Sequence, residues 1–544
     1  MRHSLLILTL LSISTLAVGQ RNDTTKKTVV ITSAFKPTLK PAAKINFSAA
    51  TPVTDSTRLN LAYNVPSQNL FFTYQPVSLK PLAVSIDTSI DWANSNYIKL
   101  GYGNFATPFA QAGFSFGNGE GSVINVHTKH TSSKGKLPFQ QYSRSNAEAI
   151  GIFNTAGNAE WRANVGFENS VQYKYGYRPE TLVFTKEQLL QRFTTFKTGV
   201  GLRNKENTEY GISYNPNVSV NIFGDSHNGR EVNAFVNAPL TKSFGEDFAF
   251  NLGFTADVTN FKKGDGSKIN NNLFYITPSV SFEKPQFSVT AGFTPSWDNT
   301  AFKLLPNFTG LIKMGEEGLV LQGGFIGYYD KNKYQSLAAF NPWINQPGQL
   351  LNTRINEAFG GIKGSVGNHF TFNTRLSTLN FNNKALFVND AVDGKSFDVI
   401  YEPKMRALRI HGEIGYNVQE KFSLAGAVNL TNYSGMTINE KAWGLLPLEL
   451  TGALRWQIMK DLQFKSDIFF WDGPQFQTKT GERGKLKPAV DLSTGVEFTI
   501  MPKLNLWVQF NNVMNNRYQR WNQYEVLGFH VLGGIVYSFS QTGK

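Results

Sequence analysis

Three groups of residues carry side chains of the kind that catalysis or metal binding uses. His127 and His130 stand three apart on one strand-like stretch, and Asp225, Ser226 and His227 are the acid, nucleophile and base types of a hydrolytic triad. Gly117-Asn-Gly-Glu-Gly121 has the glycine density of a phosphate-cradling loop. Each chemistry asks for more than residue type. An odd spacing on a strand sends two side chains to opposite faces, so the histidine pair cannot chelate one ion. Adjacent residues do not by themselves make a nucleophile, base and orienter, and Asp225-Ser-His-Asn-Gly229 is an ordinary loop composition. The glycine run lacks the lysine and following helix of a phosphate loop, and a tight hairpin turn accounts for it. With no cysteine in 544 residues there is no thiolate ligand, thiol nucleophile or disulfide framework. No catalytic, cofactor or metal residue is assigned, and the chain is not read as an enzyme.

Aromatic side chains offer binding chemistry instead. Residues 334–351 form a long loop with Tyr334, Phe340 and Trp343 beside Asn and Gln, a composition that can stack on a sugar or hold a partner. The alternative is a lid packed on its own scaffold. Trp443 and Trp471, the latter opening the turn Trp471-Asp-Gly-Pro-Gln-Phe476, are assigned to the same candidate external rim.

The elements that would carry such a rim are strands. From Tyr97 onward the apolar period is two, as where Phe248, Phe250, Leu252 and Phe254 alternate with Ala249, Asn251, Gly253 and Thr255. One face suits lipid and the other water. These runs exceed the nine to eleven residues or so that a tilted membrane strand needs, and are longer than usual soluble strands. Short turns recur at 117–121, 156–158, 204–207, 244–247, 284–285, 315–318, 367–368, 419–420, 460–461 and 501–503. With an early hairpin from Tyr97 to Phe116 and a final strand from Gly528 to Phe539, they predict an all-β, antiparallel up-and-down transmembrane barrel. The count is about 22 strands, within a range of about 18 to 26.

Export fits the other end of the chain. Arg2, an apolar run from Leu5 to Leu16 and small residues near Gly19 have the layout of a secretory signal over residues 1–19. Residues 20–96 are then a periplasmic or lumenal segment, 97–540 the barrel and 541–544 a polar tail. Composition agrees with a barrel. Aromatics make up 13% of the chain, charged residues only 17%, and mean hydropathy is −0.26, as strands with one lipid face and one wet face require. The net charge of +14 comes from scattered Lys and Arg, which points to a basic lumen or anionic lipid and not to nucleic acid.

Two motifs resemble a known family. The Asn511-Asn512-Val513 to Tyr518 corner, Trp521 and the closing Val536-Tyr-Ser-Phe539 look like the C-terminal end of TonB-dependent receptors, with Phe529 where such receptors commonly carry Arg. Thr28, Val29, Val30, Ile31 and Thr32 resemble a TonB box, the extended peptide gripped by strand addition; an ordinary periplasmic strand is the other reading. Lys36-Pro-Thr-Leu-Lys-Pro and Asn96-Tyr-Ile-Lys-Leu-Gly-Tyr-Gly are similar to plug-poor, receptor-like barrels of the Bacteroidota, because 20–96 is too short for a complete plug. Within that resemblance Tyr537 and Phe539 are the barrel-closing signal. The implied partners are outer-membrane lipid, the barrel assembly machinery, TonB and a surface lipoprotein, with no cofactor. The implied function is import of a solute across the bacterial outer membrane. An assembly or docking component of an envelope complex, and a passive pore, are the alternatives.

Overall fold

Alternating apolar and polar residues over runs of mostly 8 to 22 produce strands that pair with the next along the barrel, and the first with the last. The computed structural model describes residues 93–315 and 318–542, all within one unit, Arg58–Lys544. Twenty-three strand segments form one antiparallel sheet, from Ala93–Gly103 to His530–Thr542. Two of them, Ile212–Tyr214 and Asn217–Asp225, are one strand broken at Pro216, which has no N–H for the ladder. The barrel therefore has 22 strands. At the break Asn204 replaces ladder bonds with its side chain, donating to the Ile212 carbonyl at 2.8 Å and accepting from the Tyr214 N–H at 2.8 Å. Among the described residues no helix is long and apolar enough to cross a membrane.

All ten short turns expected from the sequence join strands at one end of the barrel, and the first strand begins and the last ends there. Long connections lie at the other end, the longest spanning residues 331–352, 472–488 and 512–529. The outer face is apolar. Phe248, Phe250, Leu252 and Phe254 are exposed, whereas Thr255, Asp257 and Thr259 on the opposite row are buried. An exposed apolar surface of this extent is stable in hydrocarbon and not in water. Several inward charges are paired, as Lys99 with Glu497 at 3.4 Å and Arg455 with Asp467 at 2.9 Å.

Closure depends on the seam between the first and last strands, with Asn96 opposite Phe539, Ile98 opposite Tyr537 and Leu100 opposite Ile535. Pairing begins at Ala93 and runs to Thr542, a few residues beyond the expected bounds at each end. On the outer side the Tyr537 and Phe539 rings stack with centroids 5.7 Å apart. On the inner side Trp507, on the strand Leu504–Asn511, lies across the last strand and donates its indole N–H to the Leu100 carbonyl of the first at 3.1 Å. Glycine makes this crossing possible. A Cβ on Gly101 would sit 2.3 Å from the indole, and one on Gly534 would sit 1.9 Å from the Leu100 oxygen. Phe109 meets the indole edge-to-face at 5.4 Å and the Lys99 ammonium lies 4.4 Å over it. Sequence reading overlooked Trp507, whose signal is an inward Trp opposite Gly534 on a strand with lipid-facing Leu506 and Val508.

Truncating Trp507 removes a buried aromatic and a cross-seam hydrogen bond, about 3 kcal/mol or more. Trp507→Ala should lower the temperature at which the folded, fast-migrating band converts to the unfolded band on a denaturing gel, and lipid-facing Leu506→Ala should shift it much less. Equal transition temperatures for the two variants would remove Trp507 from the closure.

Candidate functional site

The long connections at the mouth are rich in rings, amides and acids, and they fold over the barrel. One hydrophobic cluster joins Phe193, Phe223 and Phe261 on the inner wall to Tyr334, Leu337, Trp343 and Ile344 of the 331–352 lid. The same cluster takes in Trp521 and Tyr524 of the 512–529 loop, and Ala385, Phe387 and Phe397 on the wall. Phe223 is on the seventh strand and Phe397 on the sixteenth. In a ring of 22 those strands stand on opposite sides, so a cluster that contains both spans the mouth. At its centre Trp343 and Tyr524 stack at 4.0 Å, and Trp521 meets Phe387 at 5.2 Å and Phe397 at 5.4 Å.

Polar side chains hold the lid in register over this cluster. Asp225 is the most heavily used. One carboxylate oxygen accepts the N–H groups of His227 and Gly229 at 2.8 and 2.7 Å, closing its own hairpin. The other accepts the Tyr334 hydroxyl at 2.7 Å and the Gln346 amide at 2.8 Å from the lid. Burial, and then the Asp225 charge, push the Tyr334 hydroxyl well above its ordinary range, so it stays protonated and donates. Glu231 accepts the N–H groups of Tyr334 and Gln335 at 2.6 and 3.1 Å, satisfying the open first turn of the helix Tyr334–Phe340. Lys331 donates to the Asp257 and Asn271 carbonyls at 2.7 and 2.6 Å; burial lowers its pKa to about 8, opposed by Asp257. Gln172 donates to the Pro342 carbonyl at 2.7 Å, and Asn345 to Asp398 at 2.8 Å. These anchors sit on strands around much of the ring.

The rim residues are thus turned inward, into three clusters. Tyr334 and Trp343 lie in the central cluster, and Phe340 packs on Phe387 at 5.1 Å and on Trp521 at 5.5 Å. Trp443 is 2% exposed, beside Ala442 and Leu445 of the same loop, and Trp471 packs edge-to-face on Tyr518 at 4.8 Å. In this conformation all five rings contact the protein's own barrel and loops, the packed-lid arrangement, with Phe340 only partly buried.

The other chemistry-bearing residues are engaged locally. His127 bonds Gln111 at 3.0 Å and His130 bonds Ser145 at 2.7 Å, and no group of three potential metal ligands occurs among the described residues. The Ser226 hydroxyl lies 3.3 Å from His227 Nδ1, while Asp225 receives the His227 backbone N–H and does not orient the ring. Asn118 accepts the N–H groups of Glu120, Gly121 and Ser122, closing the hairpin turn expected of the Gly117–Gly121 segment. Thr28, Val29, Val30, Ile31 and Thr32 lie outside the described residues.

No family model and no curated protein sequence matches the chain. Solved structures do. A mutant of the ferric enterobactin receptor PfeA from Pseudomonas aeruginosa superimposes with a TM-score of 0.60 at 11% identity, over 83% of this chain and 81% of that one. The FrpB iron transporter from Neisseria meningitidis gives 0.64 at 10% identity, over 83% of each chain. The siderophore receptor PirA from Acinetobacter baumannii gives 0.62 at 9%, over 82% of this chain and 80% of that one. At such identities the likeness establishes a shared large barrel.

Asp225→Ala would strand the buried Tyr334 hydroxyl and remove one of the bonds that hold Gln346, a loss of about 3 kcal/mol for the lid. Limited trypsin digestion of the folded protein should then cut after Lys333 on the order of a hundredfold faster than in the parent. An unchanged rate of cleavage would show that the lid does not depend on Asp225.

Proposed function

We propose that the chain is an outer-membrane barrel that imports, or helps import, a solute too large for general porins. The observation that carries this reading is a 22-strand barrel with a polar inner wall whose mouth is bridged by one packed cluster. A passive pore would keep that mouth open. A gated conduit would close it and open it only when solute or partner supplies the free energy. The similar structures bear names of ferric enterobactin receptor, siderophore receptor and iron transporter, which favours import over catalysis.

In this proposal the signal peptide delivers the chain to the barrel assembly machinery, with Tyr537 and Phe539 in the closing strand as its signal. Residues 28–33 contribute backbone pairing to TonB, which pulls from the periplasm. The short-turn end faces the periplasm and the lid faces outward, where a surface lipoprotein could pass solute to it.

Cells that lack the barrel, complemented with a chain deleted for residues 28–33, should keep the growth defect of the null strain at equal barrel levels on blots. Full rescue would refute TonB coupling. A docking role would be the better account if rescue persisted until the deletion extended through Pro81.

A further inference from the structure

The inner wall recedes near the short-turn end. Trp161, Val165 and Phe167 on the strand Ala159–Tyr173 are exposed on the outer face, so the alternate row, Glu160, Arg162 and Asn164, faces inward. Opposite that row stand Arg203, Gly201 and Gly199 of the next strand, and opposite the two glycines stand Asn217 and Ser219 of the one after. Small side chains at the centre of the patch leave a cavity of about 320 Å³, lined also by Asn215 beside the Pro216 break. That volume lies within the range of small-molecule sites, about 300 to 1,000 Å³.

Charge in the cavity is unevenly satisfied. Arg203 is locked to Glu160 by a two-pronged pair, with both bonds at 2.7 Å. Arg162, directly across from Gly201, makes no hydrogen bond or ion pair among the described residues. Glu160 thus holds one guanidinium directly and its charge also acts on the other, whose planar donor fork stays unengaged, so two cations stand against one carboxylate in the lining. Around it the amides of Asn164, Asn215 and Asn217 and the Ser219 hydroxyl offer both donors and acceptors. The floor is open: a Cβ on Gly201 would meet only Asn217 Cβ and the Pro216 carbonyl, both at 3.6 Å.

We propose that this recess binds a small hydroxylated anion, with Arg162 taking the carboxylate or phosphate and the Asn and Ser side chains taking hydroxyl groups. The site stands on the wall geometry alone and does not need TonB coupling.

Citrate is the probe, titrated calorimetrically into the full chain in detergent, with sorbitol as the neutral control. The parent should show saturable citrate binding that weakens with salt, and no heat with sorbitol. Arg162→Gln should weaken citrate by about tenfold or more, because a charge-assisted fork is lost. Gly201→Val should do the same by filling the floor while the Arg162 charge remains. Arg178→Gln, at the opposite end of the barrel, should leave binding unchanged. Absence of saturable citrate heat in the parent, or parent-like affinity in either cavity variant, would overturn the site. Both cavity variants must retain the heat-modifiable gel band, and a variant that loses it is replaced by Arg162→Lys or Gly201→Ser with intermediate loss expected.

Discussion

Hydrogen bonding between the first and last strands is the constraint on which the rest of this structure depends. In hydrocarbon no water satisfies a sheet edge, so an unclosed wall would expose a row of unpaired N–H and C=O groups. Eleven residue pairs from Ala93–Thr542 to Gly103–Leu532 remove that edge. Antiparallel closure with an even strand number places both chain ends of the barrel on one side, with the short turns. Long connections then gather on the other side, where they can meet one another. The seam is clamped on its inner face by Trp507 reaching Leu100, while outside Tyr537 and Phe539 stack on each other along the last strand.

A ring of 22 strands creates a second physical problem, a lumen too wide for its own side chains to fill. At the mouth the loops solve it by behaving as a small globular core. Apolar rings supply the burial, and the lid's open backbone groups are met by carboxylates and amides projecting from the wall. Asp225 and Glu231 show why wall and lid are one design: each carboxylate accepts N–H or O–H groups from residues more than a hundred positions away. Such polar anchors fix the lid's register but are costly when half satisfied. A lid held this way is stable as a whole and vulnerable at single anchors, a property suited to a gate.

The barrel was largely legible in the sequence because its signals are local. Period-two alternation at Phe248 to Thr255 and the turn residues at 156–158 or 419–420 need no knowledge of distant contacts. The count of 22 strands follows from those turns. The mouth was legible only in composition. Tyr334, Phe340, Trp343, Trp443 and Trp471 stand out as ring-rich loop residues, but whether they face solvent or a core depends on strands on opposite sides of the ring. That arrangement has no local signature. Asp225 stood out for its triad-like neighbours, and its actual role in pinning the lid depends on Tyr334, far along the chain. Trp507 escaped notice because its meaning lies in the glycines it crosses, Gly534 and Gly101, on two other strands.

Amide hydrogen exchange of the purified full chain tests the central claim, that the long loops form a packed core across the mouth. If the lid is folded, amides at Leu337, Asn341 and Ile344, which donate to Lys333, Leu337 and Asn341 carbonyls, should be protected nearly as well as the wall strands. Exchange of these amides at the rate of a free peptide, with the strands still protected, would show an open mouth and contradict the account.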